Sequence, residues 1–351
     1  MKAVVKYGLE PKQAELRDIP VPEPGEGDVL IKVKAAGLCG SDLHHYNGAF
    51  KHAIVPVVLG HEFAGVVAKA GSRVKRFKEG DRVVSDNTGA VCGVCYACSR
   101  GDYLQCMERK GLGSKMDGGF AEYVLISEKV LGPFPNSLMH IPDCLSFEEG
   151  AILDPFANGY NALIQQGGLM PGDSIAVTGA GPLALGCINV AKAAGAADIL
   201  VLVRPSCSQI HRQAALKLGA TEILELGKDD IPGRVKKITD NEGLALTADS
   251  AGAVELFPLC VDITRRGGKI LRIGYDWKGL DYILNDMTNR NISLVGHMGY
   301  NPVAWKQVLA LFKKGMLDAK STITTTMPLD DFEKGVRLMT ERKVVKLVFI
   351  P

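Results

Sequence analysis

The sequence has little of several features that mark common classes of protein. Its 41 basic and 39 acidic residues leave a formal net charge of +2, so the charge balance favours neither nucleic acid nor a membrane surface as a partner. No apolar run approaches the roughly 18 residues of a membrane span, and the first ten residues lack the apolar stretch of a secretory signal. Internal repeats and low-complexity segments are also missing. We therefore expect a cytoplasmic protein.

Glycine and apolar residues are abundant by contrast. The 40 glycines follow no three-residue period and 46% of the residues are hydrophobic, which excludes a collagen-like or disordered chain and is typical of a soluble α/β enzyme. A length of 351 residues favours two domains. Nine cysteines without a secretory signal indicate metal ligands or buried thiols rather than disulfides.

The chain up to about residue 150 is predicted to be rich in β-strands. Short apolar or alternating runs are separated by turns rich in proline and glycine. The predicted strands are Ala3 to Lys6, Val29 to Val33, Gly65 to Ala70, Asp81 to Ser85 and Ala121 to Ile126. This pattern favours an irregular β-barrel with long loops.

From about Asp154 the pattern changes to strands that alternate with helices. Strands are predicted at Ser174 to Thr178, Ile199 to Val203, Leu244 to Ala248 and Lys269 to Ile273, with helices up to Ala194 and over Arg212 to Leu218. This alternation predicts a parallel, doubly wound sheet. Beyond Val295 the sequence predicts a helix over Val303 to Lys314 and a last strand over Val344 to Ile350. These are compatible with a return of the chain to the first domain.

Four closely spaced cysteines indicate a zinc site. They are Cys92, Cys95, Cys98 and Cys106, in the pattern C-x2-C-x2-C-x7-C. Two residues between cysteines let a tight turn direct both thiolates at one tetrahedral ion, and four protein ligands leave no position for substrate. The site is therefore predicted to be structural. A zinc knuckle for nucleic acid is an alternative, although the ligands have no pair of aromatic residues for stacking bases.

A second candidate metal site combines Cys39 with His61 and Glu62. Cysteine, histidine and carboxylate are all acceptable zinc ligands, and an incomplete protein set leaves a position for water or substrate. Each residue alone is weak evidence, since a lone buried cysteine usually behaves as a small hydrophobe. These residues indicate a metal site only in combination with the cysteine loop and with the glycine-rich turn of the second half of the chain.

A glycine-rich turn follows the predicted strand that ends at Thr178. Gly179 and Gly181, followed by Pro182, Leu183 and Ala184, open the next helix. Glycines at these places permit a tight turn and a close approach of the backbone to a pyrophosphate at the helix N-terminus. The turn therefore predicts a dinucleotide site.

The choice between NAD and NADP depends on the end of the next strand. An acidic residue there would bind the ribose 2′-hydroxyl of NAD. Val203 stands in that place and Arg204 follows it. Arg204, with Arg212 as a second candidate, could meet a 2′-phosphate, so the sequence slightly favours NADP over NAD. Alternatively, Arg204 stacks on adenine or points into solvent.

Together these motifs resemble the zinc-dependent medium-chain alcohol dehydrogenases. The resemblance covers nearly the whole chain and lies in Gly37 to Asp42, Gly60 to Glu62, the cysteine loop, Gly118 to Tyr123 and Gly179 to Pro182. Within that family the chain looks like the polyol and sugar-alcohol branch, with its sorbitol, galactitol-phosphate and arabitol-phosphate dehydrogenases. Threonine dehydrogenase is similar around Asp154 to Asn158. The implied fold is α/β, with a GroES-like β-barrel catalytic domain over residues 1–154, completed by 296–351, and a doubly wound Rossmann domain over 155–295.

The resemblance assigns roles to the residues of the second metal site. Cys39, His61 and Glu62 would hold a catalytic zinc ion. Asp154 occupies the place where this branch carries a glutamate that binds the metal directly or through water. Aspartate is shorter by one methylene, and before Pro155 it also suits a helix N-cap.

The resemblance also implies a route for the proton. Ser41 and His44 lie two and five residues beyond Cys39, where family members place a hydroxyl and an imidazole in a proton relay. Alternatively, Ser41 bonds the local backbone and His44 lies on the surface, and His45 or Tyr46 faces the cleft instead.

Two further residues, Lys346 and Ile273, complete the candidate cofactor site, and His297 is a lesser candidate nearby in the sequence pattern. Lys346 matches a basic position that approaches the pyrophosphate in this family, although a solvated charge is an alternative. Ile273 ends a predicted strand of the doubly wound sheet. His297 lies where the family brings a segment near the nicotinamide or a subunit boundary, but a core or interface histidine is the favoured interpretation.

The sequence thus predicts a zinc-dependent oxidoreductase with one catalytic and one structural zinc ion. It would transfer a hydride between a secondary alcohol of a polyol or sugar and NADP or NAD, with no nucleic acid or membrane partner, as a homodimer or homotetramer. An amino-acid dehydrogenase acting on threonine is the alternative. A metal-free quinone reductase is opposed by the intact set of Cys39, His61 and Glu62, and a non-enzymatic zinc module by the dinucleotide turn.

Overall fold

The computed structural model describes residues 1–50 and 53–351. The chain separates into two units. The first comprises residues 1–154, 301–313 and 323–351, and the second comprises residues 155–300 and 314–322. Within the described residues, every helix is too short or too polar to span a bilayer.

The secondary structure consists of short strands and short helices. The strands are β1 (Lys2–Lys6), β2 (Ala14–Asp18), β3 (Val29–Leu38), β4 (Val57–Val58), β5 (Glu62–Ala70), β6 (Arg82–Ser85), β7 (Tyr123–Ile126), β8 (Leu138–His140), β9 (Ile175–Thr178), β10 (Ile199–Val203), β11 (Glu222–Glu225), β12 (Leu244–Asp249), β13 (Thr264–Arg272), β14 (Ser293–Gly296), β15 (Ile323–Pro328) and β16 (Lys346–Ile350). The α-helices are α1 (Gly40–Tyr46), α2 (Tyr96–Ser99), α3 (Glu128–Leu131), α4 (Phe147–Ala151), α5 (Asp154–Tyr160), α6 (Pro182–Ala193), α7 (Gln209–Leu218), α8 (Ile231–Ile238), α9 (Phe257–Ile263), α10 (Asn285–Arg290), α11 (Pro302–Lys313) and α12 (Phe332–Thr340). A π-helical stretch (Asn161–Gln166) continues α5, and 3-10 turns occur at Tyr103–Gln105, Pro135–Ser137, Val254–Leu256, Lys320–Thr322 and Leu329–Asp331.

The first unit is built on two sheets, of which the larger carries the metal site. Its strand order is β15-β16-β3-β5-β6-β8, with β7 also paired to β3, and the smaller sheet has the order β2-β1-β4. Strand β3 shows why the sequence folds in this way. Its middle alternates, with Lys32 and Lys34 exposed and Val33 buried between them, whereas Ala35–Leu38 is buried on both faces. The buried half lies between β16 and β5.

The second unit is a parallel sheet of six strands in the order β11-β10-β9-β12-β13-β14. The strands read as continuous apolar runs, such as the fully buried β10, because helices cover parallel sheets on both faces. The order reverses between β9 and β12, and ligands of such sheets bind beyond the carboxyl ends of the strands at that reversal.

These sheets confirm the predicted α/β class with a doubly wound parallel sheet. The bounds predicted for β10 agree with the structure, and β9 begins one residue after its predicted start. Strand β11, with three of its four residues only partly buried, was not predicted because its apolar signal is weak. Strand β14 was also not predicted, since it is mostly exposed.

Candidate functional site

Three metal-ligating side chains come together at one end of the larger sheet of the first unit. Strands β3 and β5 are antiparallel neighbours, with Gly37 opposite Glu62. Cys39 directly follows β3 and caps α1, and His61 directly precedes β5. The pairing of the two strands therefore brings the three side chains together, and one ligand atom from each of Cys39, His61 and Glu62 lies within 4.8 Å of the others.

A buried carboxylate orients two of these ligands. The backbone N–H of Cys39 donates to Asp42 Oδ2 (2.9 Å), and His61 Nδ1 lies 3.0 Å from Asp42 Oδ1. Burial lowers the pKa of His61, but the charge and hydrogen bond of Asp42, together with those of Cys39, outweigh this and raise the pKa well above its usual value. With Nδ1 held by Asp42, Nε2 is the nitrogen that a metal would take.

Glu62 pairs with a lysine inside the sheet. Lys346 Nζ lies 2.5 Å from Glu62 Oε2, and both side chains are essentially fully buried. Burial lowers the pKa of Lys346, but the Glu62 carboxylate offsets this and raises it, which favours the ammonium form. A Cβ on Gly37 would lie 2.6 Å from Glu62 Oε2 and 3.3 Å from Lys346 Cε, so only glycine leaves room for the pair.

The residues fit a zinc ion. Glu62 Oε1 is buried and makes no hydrogen bond with any residue that the structure describes. Such an atom is costly to bury unless a cation or donor satisfies it. A thiolate, an imidazole nitrogen and a carboxylate oxygen are the donor types of catalytic zinc sites that keep a position open for substrate.

The Lys346 side chain is not a solvated surface charge, because it is 1% exposed. Its predicted approach to the pyrophosphate stays a prediction. The contact that the structure shows for its Nζ is the one to Glu62 in the metal cluster.

Asp154 lies outside the cluster of Cys39, His61 and Glu62. It is the first residue of α5, and its Oδ2 accepts a hydrogen bond from Asn87 Nδ2 at 2.9 Å. The pKa of Glu62 is raised, and burial is the largest cause. The charge of Lys346 opposes this, and the negative charge of Asp154 is a smaller cause that also raises the pKa. Its role as ligand or water anchor stays a prediction.

The two predicted relay residues differ in position. Ser41 Oγ lies 3.3 Å from His61 Nε2, so its hydroxyl lies beside the metal cluster. His44 is exposed on α1, and its ring centroid lies 5.3 Å from that of Phe50. His45 and Tyr46 are buried on the same helix. The relay itself stays a prediction.

The four-cysteine loop has the dimensions of a tetrahedral sulfur site. The sulfur of Cys92 lies 3.6 Å from that of Cys106 and 4.0 Å from that of Cys98, and all four sulfurs lie within 4.8 Å of one another. Zinc–sulfur bonds of about 2.3 Å in a tetrahedron require sulfur separations of about 3.8 Å. The structural zinc site predicted from the spacing is therefore confirmed.

Backbone donors surround these thiols. The N–H of Cys95 donates to Cys92 Sγ and the N–H of Cys92 donates to Cys106 Sγ, both at 3.4 Å. A hydrogen bond from the backbone of Cys98 is the main cause that lowers the pKa of Cys95 to about 7. Such donors favour thiolates, the form that binds a metal.

The dinucleotide turn lies in the second unit at the carboxyl end of β9. Gly179 has a φ of +83°, a conformation that favours glycine. Gly181 is the N-cap of α6, and Pro182 takes the first helical position, where its missing N–H costs nothing. No atom of the described residues lies within 4 Å of a Cβ built on Gly181, so they leave the space beside this turn open for a pyrophosphate. Leu183 lies in the first turn of the same helix.

The arginines after β10 are both engaged in ion pairs. Val203 is the last residue of the strand, and Arg204 Nη2 lies 2.9 Å from Glu255 Oε1, with both side chains 51% exposed. Arg212 is more enclosed, 2.6 Å from Glu225 Oε2, and it also donates to the carbonyl of Cys207. Arg204 is thus the more exposed of the two arginines, and its contact with a 2′-phosphate stays a prediction.

The remaining candidates of the second unit are buried. Ile273 follows β13 and is 6% exposed. His297 is 8% exposed, with Nδ1 2.8 Å from Gln166 Oε1. Burial lowers the pKa of His297 to about 4. This is the geometry of a core histidine, the interpretation that the sequence favoured.

Comparison with known proteins decides the family. Residues 25–136 match the family model of the alcohol dehydrogenase GroES-like domain, and residues 182–314 match that of the zinc-binding dehydrogenases. The chain belongs to the zinc-containing medium-chain alcohol dehydrogenase family. It is thus a zinc-binding dehydrogenase of the NAD(P)-dependent type.

Several relatives of this dehydrogenase match along its whole length. An uncharacterized zinc-type alcohol dehydrogenase-like protein of Escherichia coli (strain K12) is 35% identical, covering 99% of this chain and 98% of the relative. The D-arabitol-phosphate dehydrogenase of Enterococcus avium is 35% identical, covering 99% and 97%. The L-threonine 3-dehydrogenase of Bacillus velezensis is 34% identical, covering 100% and 99%.

Solved structures agree with the fold of the dehydrogenase. The 2R,3R-butanediol dehydrogenase of Bacillus subtilis superposes with a TM-score of 0.89 at 31% identity, covering 100% of this chain and 99% of the other. A zinc-binding dehydrogenase of Sinorhizobium meliloti 1021, solved with NADP bound, superposes with a TM-score of 0.88 at 28% identity and the same coverage.

Sequence reasoning missed two residues that hydrogen-bond to candidate site residues. Asp42 stood inside a motif used for the resemblance but received no role, although its position three residues after Cys39 is that of a capping box. Asn87 carried no signal, because its contact with Asp154 joins residues 67 positions apart.

Proposed function

We propose that this dehydrogenase oxidises a secondary alcohol of a polyol or sugar, free or phosphorylated, with NADP or NAD as the hydride acceptor. The observation that carries the proposal is the cluster of Cys39, His61 and Glu62, whose ligand atoms lie within 4.8 Å of one another. Within the described residues, the buried Oε1 of Glu62 makes no hydrogen bond. The D-arabitol-phosphate relative supports a polyol substrate.

Each residue of the cluster has a proposed task. Cys39 Sγ, His61 Nε2 and Glu62 Oε1 would hold the zinc ion, while Asp42 keeps His61 in one tautomer. Zinc supplies a Lewis acid that makes a substrate hydroxyl easier to deprotonate. The nicotinamide supplies the hydride acceptor, and the glycine turn around Gly181 would bind its pyrophosphate.

Ser41 is proposed to accept the substrate proton while its own hydroxyl proton passes on toward His44. Its Oγ lies 3.3 Å from His61 Nε2, the atom that marks the metal position, so a substrate hydroxyl there would be near hydrogen-bond distance of Ser41. His44, exposed on the same helix, would pass the proton to solvent. Asp154 would anchor water at the metal.

Lys346 is proposed to set the charge and the orientation of the Glu62 carboxylate. A buried ammonium beside Oε2 neutralises part of the carboxylate charge. It also fixes which oxygen remains for the metal, since Oε1 makes no hydrogen bond within the described residues.

The domain division and the assembly are also proposals. The unit of residues 1–154, 301–313 and 323–351 supports a GroES-like catalytic domain completed by C-terminal segments. The unit of residues 155–300 and 314–322 supports the Rossmann domain. A homo-oligomer is supported by β14, which lies at the end of its sheet with Leu294 46% exposed. We place the enzyme in the cytoplasm, where its nine free cysteines would stay reduced.

A threonine dehydrogenase is the second candidate, supported by the whole-length match to the relative from Bacillus velezensis. A panel of polyols, polyol phosphates and threonine, each assayed with NAD and NADP, separates the two. Oxidation of threonine alone would overturn the polyol assignment.

The chemistry itself is tested by His61→Ala. Because zinc and dinucleotide are assigned to different residues, the variant should lose alcohol oxidation and keep cofactor binding, measured by nicotinamide fluorescence. Wild-type protein should contain two zinc ions per chain and the variant one. Near-normal turnover by a variant verified to lack the second ion would refute the mechanism.

A further inference from the structure

Asn87 lies between a cation and the carboxylate assigned to the catalytic centre. Its Nδ2 donates to Asp154 Oδ2 at 2.9 Å, and its Oδ1 accepts a bond of 3.4 Å from the guanidinium of Arg109. All three side chains are half-buried and belong to the first unit. Neither Asn87 nor Arg109 was given a role by the sequence motifs.

The chemistry of the three groups allows one orientation of the amide. An arginine only donates hydrogen bonds and a carboxylate only accepts them, whereas an amide has one end of each kind. The carbonyl end of Asn87 must therefore face Arg109, and its NH2 end must face Asp154. The isosteric aspartate cannot join a guanidinium to a carboxylate in this manner, because it would place two negative charges together.

Arg109 is in turn fixed to the four-cysteine loop. It stands three residues after the zinc ligand Cys106 and its N–H donates to the carbonyl of Cys106 at 3.1 Å. Its guanidinium also donates to the backbone carbonyls of Thr88 (3.1 Å) and Asn87 (3.4 Å). The end of the loop thus holds both the backbone and the side chain of Asn87.

The backbone segment that follows Asn87 lies close to the segment that follows Arg109. Ala90 and Lys110 exchange two hydrogen bonds, of 3.1 Å and 2.9 Å. A Cβ on Gly89, whose φ is +71°, would lie 2.0 Å from the carbonyl oxygen of Lys110. A shift of the cysteine loop therefore moves the segment that carries Asn87.

We propose that Asn87 is a positioning residue for Asp154 and that Arg109 makes this position depend on the four-cysteine loop. The structural zinc loop then sets the geometry of the catalytic centre in addition to stabilising the fold. The inference rests on the proposed function, because it gives Asp154 its place as the anchor of water at the catalytic metal.

The test uses the full-length enzyme with cobalt in place of zinc, whose visible absorption reports the environment of the catalytic ion. The bands of that ion are those lost in Cys39→Ala. Asn87→Ala and the isosteric Asn87→Asp should shift these bands, lower kcat about tenfold to a hundredfold and move the pKa of the kcat profile. The KM for the dinucleotide should not change.

The matched control is Arg82→Gln. Arg82 also donates hydrogen bonds to backbone carbonyls in the first unit, those of Asp143 and Leu145. Within the described residues, it forms no hydrogen bond with Asn87 or Asp154. It should lower the melting temperature as Arg109→Gln does, without shifting the cobalt bands. If Arg109→Gln also leaves those bands unchanged, the dependence on the cysteine loop is wrong.

A double variant tests whether Arg109 acts on Asp154 through Asn87. Because Arg109 is proposed to act through Asn87, Arg109→Gln should change kcat and the cobalt spectrum little further in the Asn87→Ala background. Additive effects of the two substitutions would overturn the route. Wild-type protein that binds one metal ion instead of two would contradict the proposed function itself, whereas normal metal content with unshifted variant spectra would contradict this inference alone.

Discussion

Asp42 and His61 form the hydrogen bond that fixes the metal cluster, with Asp42 Oδ1 3.0 Å from His61 Nδ1. The other oxygen of the same carboxylate accepts the N–H of Cys39. Asp42 is 1% exposed, so the carboxylate is held away from water. One buried side chain therefore orients two of the three ligands that meet at this end of the sheet.

Asp42→Asn should weaken zinc binding at the catalytic site. The amide keeps the shape of the side chain but removes the charge that favours an oriented, basic imidazole. Loss of such an outer partner typically costs about tenfold to a hundredfold in metal affinity. Competition with a chelator measures the affinity, and the four-cysteine site of the same molecule is the internal control. Equal losses at both sites would show a general effect on folding instead.

Cys95→Ser should destabilise the first unit. A closed tetrahedral site contributes directly to folding free energy, and serine is a poor substitute for a thiolate ligand. We expect one zinc ion fewer and a lower melting temperature. Cys144→Ser is the matched control, because Cys144 is exposed and belongs to neither metal cluster in the described residues. Unchanged zinc content and melting temperature in Cys95→Ser would contradict the structural assignment.

The sequence predicted those parts of the site that are encoded locally. The spacing of the four cysteines and the glycine turn after β9 each lie within one short segment, so their geometry follows from neighbours in the chain. The pairing of Cys39 with His61 and Glu62 depended on a family resemblance, because β3 and β5 bring it about only in the folded sheet.

Contacts between distant side chains were beyond the sequence patterns. Lys346 meets Glu62 because β16 pairs with β3, a contact across most of the chain. The Asn87 bond to Asp154 arises in the same way. Such a contact leaves no periodicity or local motif in the sequence, because each residue can be replaced without changing the pattern of residues around its distant partner.

His297 should make stability depend on pH. Its pKa is about 4 in the folded protein and about 6.5 when unfolded. Between these values the unfolded chain binds a proton that the folded chain excludes, so stability falls as pH falls through this window. The loss from pH 7.5 to pH 5 should be about 2 kcal/mol. Urea unfolding of wild type and His297→Gln at both pH values measures it, and equal losses in the two proteins would contradict the assignment.

Cofactor choice should depend on the ion pair of Arg204 with Glu255, which are 2.9 Å apart and half exposed. Arg204→Ala should weaken NADP binding more than NAD binding, by about tenfold to a hundredfold, the usual effect of one charge-assisted hydrogen bond. Glu255→Gln should act in the opposite direction, because it removes the carboxylate that competes with a 2′-phosphate for the guanidinium. Dissociation constants of both dinucleotides for both variants test this. Equal changes for NAD and NADP would show that Arg204 does not contact the 2′ position.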